Sequence, residues 1–524
     1  MWNPPIALNP EEQKMAARTQ KARKFFVFLR TIRHELLDAD FQQTLATSSR
    51  PEPGGKAPVD AGVLALATLL QAYCHVSDQD AVELTVRDKR WQMVWDGLGA
   101  AHPPFSRGTL FHFRLRLIAP NLDKTLLDRT VAWAEQTGGC GARQRRAALD
   151  SPPLVGAGRV EDTLNLLGHA LRKAVGLAAK ALATSAEGLM ADAGLELVRQ
   201  SRLKAALARD WGAPTARASA LRLVLAEVER WKNWLEQPQR LAAQESPIQD
   251  GLETIEQMVA QDTEPDPEGG PGARRIKQHV APDRRIAMED AAMRHGRTSS
   301  SKTFNGFTEH LALELDSTVT REVVVCPANH PEHEAVELLA AELEKGPGLF
   351  QLDIDLGYLA SPRMAHWAAQ GVHIIARPWP QSGPLFTKDD FTLDFPHGTV
   401  TCPNGQTVPM VPGKDAQFPA RACDACPLRA QCTTARLGHG RSLTIREDEP
   451  FQRKLRARIK TKRGRASLRK RPAVEQAIAH HVAHRGRRAR YKGLRKHQCD
   501  GRRHAAVSNL QVAARYAEER QLAA

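Results

Sequence analysis

Three acids and four cysteines are the residues of this 524-residue chain whose types and settings could do chemistry. Asp150 closes the short apolar segment AALD and is followed by Ser151-Pro152-Pro153, which stops a strand there. The carboxyl end of a strand is where α/β sheets place function. Asp355 lies near the end of LFQLDIDLG, a predicted strand. Alternation sets Asp353 and Asp355 on one face and Leu352, Ile354 and Leu356 on the other. Acids on an otherwise apolar strand are costly to bury unless they are solvated or bind a cation. Glu475 is one of only two acids in the stretch 453–503, which holds twenty Lys and Arg and carries +18. The whole chain carries +15, so the remainder sums to about −3. A surface this basic is expected against polyphosphate. A carboxylate within it repels that partner unless a divalent metal bridges the two. Each acid alone has an ordinary reading as a turn, cap or helix-dipole residue, so the case rests on their joint placement.

Cys402, Cys423, Cys426 and Cys432 put half of the eight cysteines into thirty-one residues, in the turn-rich contexts CPNG and CDACPLRAQC. A C-x2-C knuckle presents two thiolates to one tetrahedral ion, which makes these four candidate structural zinc ligands. The ordinary alternative is four reduced thiols in a loop. GAGRVED (156–162) begins like a dinucleotide fingerprint, but Glu161 takes the third glycine position, which excludes it.

The elements that must position these residues follow from periodicity. Residues 1–135 read as an N-terminal helical domain. Its third short helix, SRGTLFHFRLRL, opens on a Ser106 cap and carries Arg114 and Arg116. Such a helix-turn-helix-like module suits DNA contact by those two arginines, and equally a plain helical bundle. Residues 146–160 give the first catalytic strand, and 161–260 a helical insertion. QDTEPDPEGGPGA (261–273) reads as a flexible break. Residues 274–380 then alternate: a hairpin over 310–327, a helix over 331–346, a strand at 349–357, a helix capped by Ser361, and a strand at 372–379. That order predicts an α/β fold, an RNase H-like mixed sheet flanked by helices. Residues 381–450 form the Cys-rich, loop-rich insert. Residues 451–524 return to helix as the basic C-terminal segment completing the core, with Pro472 at a helix start just before Glu475.

Composition is that of an ordinary globular chain, with 42% hydrophobic and 25% charged residues. There is no apolar run of spanning length and no secretory leader, so no membrane partner and a cytoplasmic location are expected. The cysteines are then expected reduced or metal-bound.

Five collinear segments, LDSPPLVGAGRVEDTLNLLGHALRKAV, RHGRTSSSKTFNGF, DLGYLAS, CDACPLRAQC and RPAVEQAI…RYKGLRK…SNL, resemble the DDE transposases of bacterial insertion sequences. The resemblance spans about residues 20–516, and its branch has an N-terminal helical domain and a Cys-rich insert. It implies an RNase H-like core in which Asp150, Asp355 and Glu475 bind two Mg²⁺ ions, with Mn²⁺ able to substitute. The D-x-G-Y pattern, completed by Tyr358, favours Asp355 over Asp353. In the related Tyr/Arg/Glu/Lys signature, Arg471 and Glu475 hold their places, whereas Leu468 and Val482 stand where Tyr and Lys would be. Arg469, Lys470 or Arg485 would then take over DNA contacts. The resemblance further implies DNA as partner (terminal inverted repeats and target), a homodimer in the synaptic complex, and a nucleoid-associated bacterial enzyme that cuts and rejoins DNA. Two alternatives stay open: a non-catalytic DNA-binding protein, and an RNase H-like nuclease without joining activity.

Overall fold

The computed structural model describes residues 1–19, 24–47, 58–137, 144–200, 203–207, 215–237, 246–345, 348–380, 383–469 and 472–523. The chain opens in helices, among them Lys24–Leu36 (α1), Ala61–Cys74 (α2), Arg107–Ile118 (α3) and Leu122–Gln136 (α4). The Ser106 hydroxyl accepts the Thr109 N–H at 3.1 Å and so starts α3. α2 is apolar all round and is buried from Gly62 to Ala72, as such a helix must be.

The sheet is built from Arg145–Asp150 (β1), Pro153–Val155 (β2), Thr303–Glu314 (β3), Thr320–Pro327 (β4), Leu349–Ile354 (β5) and His373–Ile375 (β6), with a seventh short strand, Arg294–Arg297, paired to β3. Its order is β4–β3–β1–β5–β6, with β4, β3 and β1 antiparallel and β1, β5 and β6 parallel. This is the RNase H-like mixed sheet expected from the element order. Pro152 does end β1, but the chain resumes at once as β2, pairing with β3 through Leu154↔Phe307. Gly306 permits that crossing: its φ is +153°, and a Cβ there would stand 2.1 Å from the Leu154 carbonyl oxygen.

Strand alternation divides the sheet between two cores. Ala147, Leu149, Ala312, Val324, Leu352 and Ile354 pack against Glu332–Glu344 (α8), Pro362–Ala369 (α9) and Leu455 of Glu449–Lys460 (α10). Ala148, Leu311, Leu313, Val323 and Val325 face the other way. They meet Val474 and Ile478 of Pro472–Arg485 (α11), Ala506 and Leu510 of Leu494–Ala523 (α12), and the N-terminal helices, all in one continuous core. The N-terminal helices are therefore packed onto the sheet through α12, not hung beside it.

Between β2 and β3, Thr163–Ala181 (α5), Ala216–Leu235 (α6) and Ser246–Asp262 (α7) build a separate core around Leu167, Leu171, Val228 and the stacked pair Trp231 and Trp234. Residues 261–273, expected to be a flexible break, instead end α7 and turn through a hairpin that pairs Thr263–Pro265 with Arg274–Ile276. Gly270 and Gly272, at φ +82° and +76°, make the turn, and Arg274 Nε donates to Thr263 Oγ1 at 2.7 Å. The loop-rich reading of 381–450 also gives way to structure. Three short strands between Thr392 and Pro409, and a pair joining Asp415–Gln417 to Ser442–Thr444, enclose Phe391, Val400, Phe418 and Ile445.

Polar groups lock α12 to its neighbours. Buried Asn509 accepts the Thr320 N–H at 2.8 Å and donates to the Thr320 carbonyl at 2.9 Å and to Thr130 Oγ1 at 3.2 Å. It thereby joins α12, β4 and α4. Asn509→Ala strands both Thr320 backbone groups and is expected to cost about 1–3 kcal/mol, read as a lowered urea midpoint with an unchanged m-value.

Candidate active site

Asp150 is the last residue of β1, and Asp355 directly follows β5. The two strands are parallel neighbours with Ala147↔Leu352, Ala148↔Asp353 and Leu149↔Ile354 in register. One residue further, that register sets Asp150 beside Asp355 at the carboxyl ends of adjacent strands. By alternation Asp150 follows Ala148 onto the face covered by α11 and α12. Asp353 is buried and accepts from Gln351 Nε2 at 2.7 Å. Asp355 sits at the N-cap of the 3-10 turn Leu356–Ala360 without capping it through its side chain.

Around the pair lies a polar cluster. Ser151 N–H donates to Asp150 Oδ1 at 2.6 Å, and the Ser151 hydroxyl donates to Glu332 at the start of α8. The Tyr358 hydroxyl is fully buried, 2.8 Å from His310 Nδ1, with Ser151 as a second partner. Burial pushes the Tyr358 pKa well above 10, and Glu332, Asp150 and Asp355 push it the same way. Burial lowers His310 to about 3, with His330 adding to the effect, so its imidazole stays neutral. Periodicity singled out neither His310 nor Glu332. His310 lies in the β3 run HLALEL, and Glu332 in PEHEAVELL reads as an ordinary first-turn acid. The glycine in D-x-G-Y was the available signal, because a Cβ on Gly357 would stand 1.7 Å from Glu332 Oε2.

Glu475 lies in the first turn of α11 and is exposed. Its neighbours Val474 and Ile478 are buried in the core shared with β1 and β3. Among the described residues, no three His, Cys, Asp or Glu side chains converge closely enough to hold a metal ion. The strand register sets Asp150 and Asp355 at neighbouring strand ends, and among the described residues neither forms a group of three with Glu475.

The expected DNA contacts divide. Arg114 is buried: it pairs with Asp78 and donates to Gln71 Oε1 at 3.1 Å, an oxygen that also accepts from Arg503 at 2.7 Å. Arg485 is buried 3.1 Å from Glu309 of β3, with His481 3.5 Å from the same carboxylate. Both arginines are thus buried against acids of the fold, a correction to their reading as DNA contacts. Burial works to raise the Glu309 pKa, but Arg485 and His481 outweigh it and hold the group ionised. Arg116 is partly buried and Arg469 is exposed, while Lys470 and Arg471 lie outside the described residues. Exposed cations also line 453–465 and the segment Arg487–Lys496, where Arg487 and Ala489 bond to Val155 at the edge of β2.

The four clustered cysteines are partly exposed free thiols. Burial raises the Cys432 thiol, and Cys423, Cys402 and Cys426 raise it further against the opposing charge of Arg441. The other three are therefore each within electrostatic reach of Cys432, although the four do not converge as ligands. Cys423 Sγ accepts the Arg441 N–H at 3.4 Å, and the turn at Cys402 closes through the Gly405 N–H at 2.9 Å.

Residues 401–514 match the family model described as a transposase DDE domain. This part of the chain is similar to a transposase DDE domain. The match takes in the cysteine cluster, Glu475 and most of α12, and it begins after Asp150 and Asp355. No curated protein and no solved structure matches the chain. That similarity supports a transposase. No helix among the described residues is long and apolar enough to cross a membrane.

Buried and exposed arginines are expected to behave differently in this chain. Arg485→Ala leaves Glu309 underpaired and should cost about 3–5 kcal/mol of stability, without changing the salt slope of DNA binding. Arg469→Ala should leave stability unchanged and reduce that slope by about 0.9. Denaturant titration and fluorescence anisotropy across a salt series read the two effects.

Proposed function

We propose that this protein is the transposase of a bacterial insertion sequence, cutting DNA at the ends of its element and joining them to target DNA. The observation that carries the reading is the β1–β5 register. It ends neighbouring parallel strands of the mixed sheet at Asp150 and Asp355, in a chain whose residues 401–514 match a transposase DDE domain. An all-oxygen donor pair fits a hard divalent cation such as Mg²⁺ or Mn²⁺. Asp150 and Asp355 would hold it, and Glu475 is the third acid, supplied from α11. The bound ions supply Lewis-acid activation of the attacking oxygen and charge relief on the leaving oxygen.

The chain's own residues do the rest. Tyr358 and Ser151 hold hydrogen bonds behind the acid pair. The exposed cations of 453–469 and 487–496 offer phosphate-binding surface. The helical region 1–135 is read as a further DNA-binding module, and synapsis of two ends calls for a homodimer. Action on DNA fits a cytoplasmic, nucleoid-associated protein.

Asp150→Asn, Asp355→Asn and Glu475→Gln should each lower Mg²⁺-dependent cleavage of cognate end DNA by roughly a thousandfold or more. DNA binding should persist in all three. Full cleavage by the Asp150 or Asp355 variant would overturn the assignment. A wild-type chain that binds ends without cutting them, in Mg²⁺ or Mn²⁺, would support the non-catalytic reading, which Leu468 and Val482 favour. Cleavage without strand transfer from a 3′-hydroxyl donor would point to a nuclease.

Cys402, Cys423, Cys426 and Cys432 are proposed as the ligands of a structural zinc ion. The core they flank is small, and such cores commonly need a staple. Elemental analysis of the purified chain should give about one zinc per chain, absent from Cys423→Ser/Cys426→Ser. Metal-free wild-type protein with four fast-reacting thiols would exclude the site.

A further inference from the structure

We propose that Glu332 is a positioning residue that sets the spacing of Asp150 and Asp355 by cross-linking the two turns on which they stand. The proposal rests on the reading of those acids as the metal-binding pair. Glu332 belongs to neither strand; it comes from the first turn of α8. Its Oε1 accepts from the Ser151 hydroxyl, in the turn that leaves Asp150. Its Oε2 fills the space over Gly357, in the turn that leaves Asp355, where any Cβ would displace it. One carboxylate thus touches both acid-bearing turns.

The groups beside it suit that work. Ser151 donates its hydroxyl to Glu332 and its N–H to Asp150, so a shift at Glu332 is passed to the first acid. Tyr358 follows Gly357 directly and is anchored from behind by His310. Its hydroxyl stays protonated amid three carboxylates, and the buried His310 stays neutral. Neutral partners hold the acids' surroundings in place without drawing off the negative charge that a cation needs. Outer-shell partners of this kind fix ligand orientation, and their loss typically costs tenfold to a hundredfold in metal affinity.

The test is calorimetric titration of the full chain with Mn²⁺, using Asp150→Asn as reference. Glu332→Ala should weaken Mn²⁺ binding by about ten- to a hundredfold. Glu332→Gln keeps an oxygen to accept from Ser151 and should retain most of the affinity. Gly357→Ala leaves the carboxylate in the chain but pushes it out of place, and should weaken binding as Glu332→Ala does. Wild-type affinity in Glu332→Ala or Gly357→Ala, with loss in Asp150→Asn, would overturn the proposal and leave the acid pair standing. Equal losses in Glu332→Gln and Glu332→Ala would also overturn it, because the charge itself would then be the requirement. Unchanged binding in Asp150→Asn would instead remove the metal-binding pair, and the proposal with it.

Discussion

The parallel pairing of β1 with β5 is the constraint on which the rest depends. It joins residues that the helical insertion and the β3–β4 hairpin separate in sequence, and parallel neighbours end at the same edge of a sheet. An acid stands where each strand meets its turn: Asp150 ends β1 before Ser151-Pro152, and Asp355 follows β5 before the Leu356–Ala360 turn. A one-residue slip would turn one of the acids to the α8–α9 face. Ala147, Leu149, Leu352 and Ile354 forbid it, since all four are buried on that face.

That pairing needs its two faces covered, and the covering explains where much of the basic charge goes. α12 runs under the sheet and meets α4 and β4 through Arg502, which donates to Glu322 at 2.9 Å and lies 3.2 Å from Asp123. Arg503 bonds Asp500 at 2.5 Å, so that acid is an internal counter-ion. Arg485 serves Glu309, and Arg456 serves Asp389 and Glu449. The basic segment is thus two populations in one stretch of sequence. One set neutralises acids of the folded chain; the other remains at the surface. The summed charge of +18 does not distinguish them, because charge counts ignore burial.

The fold was largely legible. Alternation and helical periodicity placed the strands and helices of the sheet, because one-sided burial imposes those periods. Two segments misled. Residues 261–273 looked flexible because Pro and Gly mark loops, yet the same residues make a tight hairpin. The insert at 392–444 looked loop-rich because its strands are three residues long, too short for alternation to register. The candidate site was legible in part. Asp150 and Asp355 stood out as acids on apolar strands. Glu332 and His310 did not, because an acid in a helix's first turn and a histidine in a strand have ordinary readings of their own.

By itself the sequence determined which residues could act: two strand-end acids, a carboxylate in a basic helix, four clustered thiols, and the element order of an RNase H-like sheet. These are local properties of residue type and period. The tertiary structure alone decided which of them meet. It set Asp150 next to Asp355, left Glu475 on the exposed turn of α11, and withdrew Arg114 and Arg485 into the interior. It also brought Glu332 to the turns of both acids. Proximity between distant segments is set by packing, where a buried charge must find its counter-charge wherever the fold supplies one.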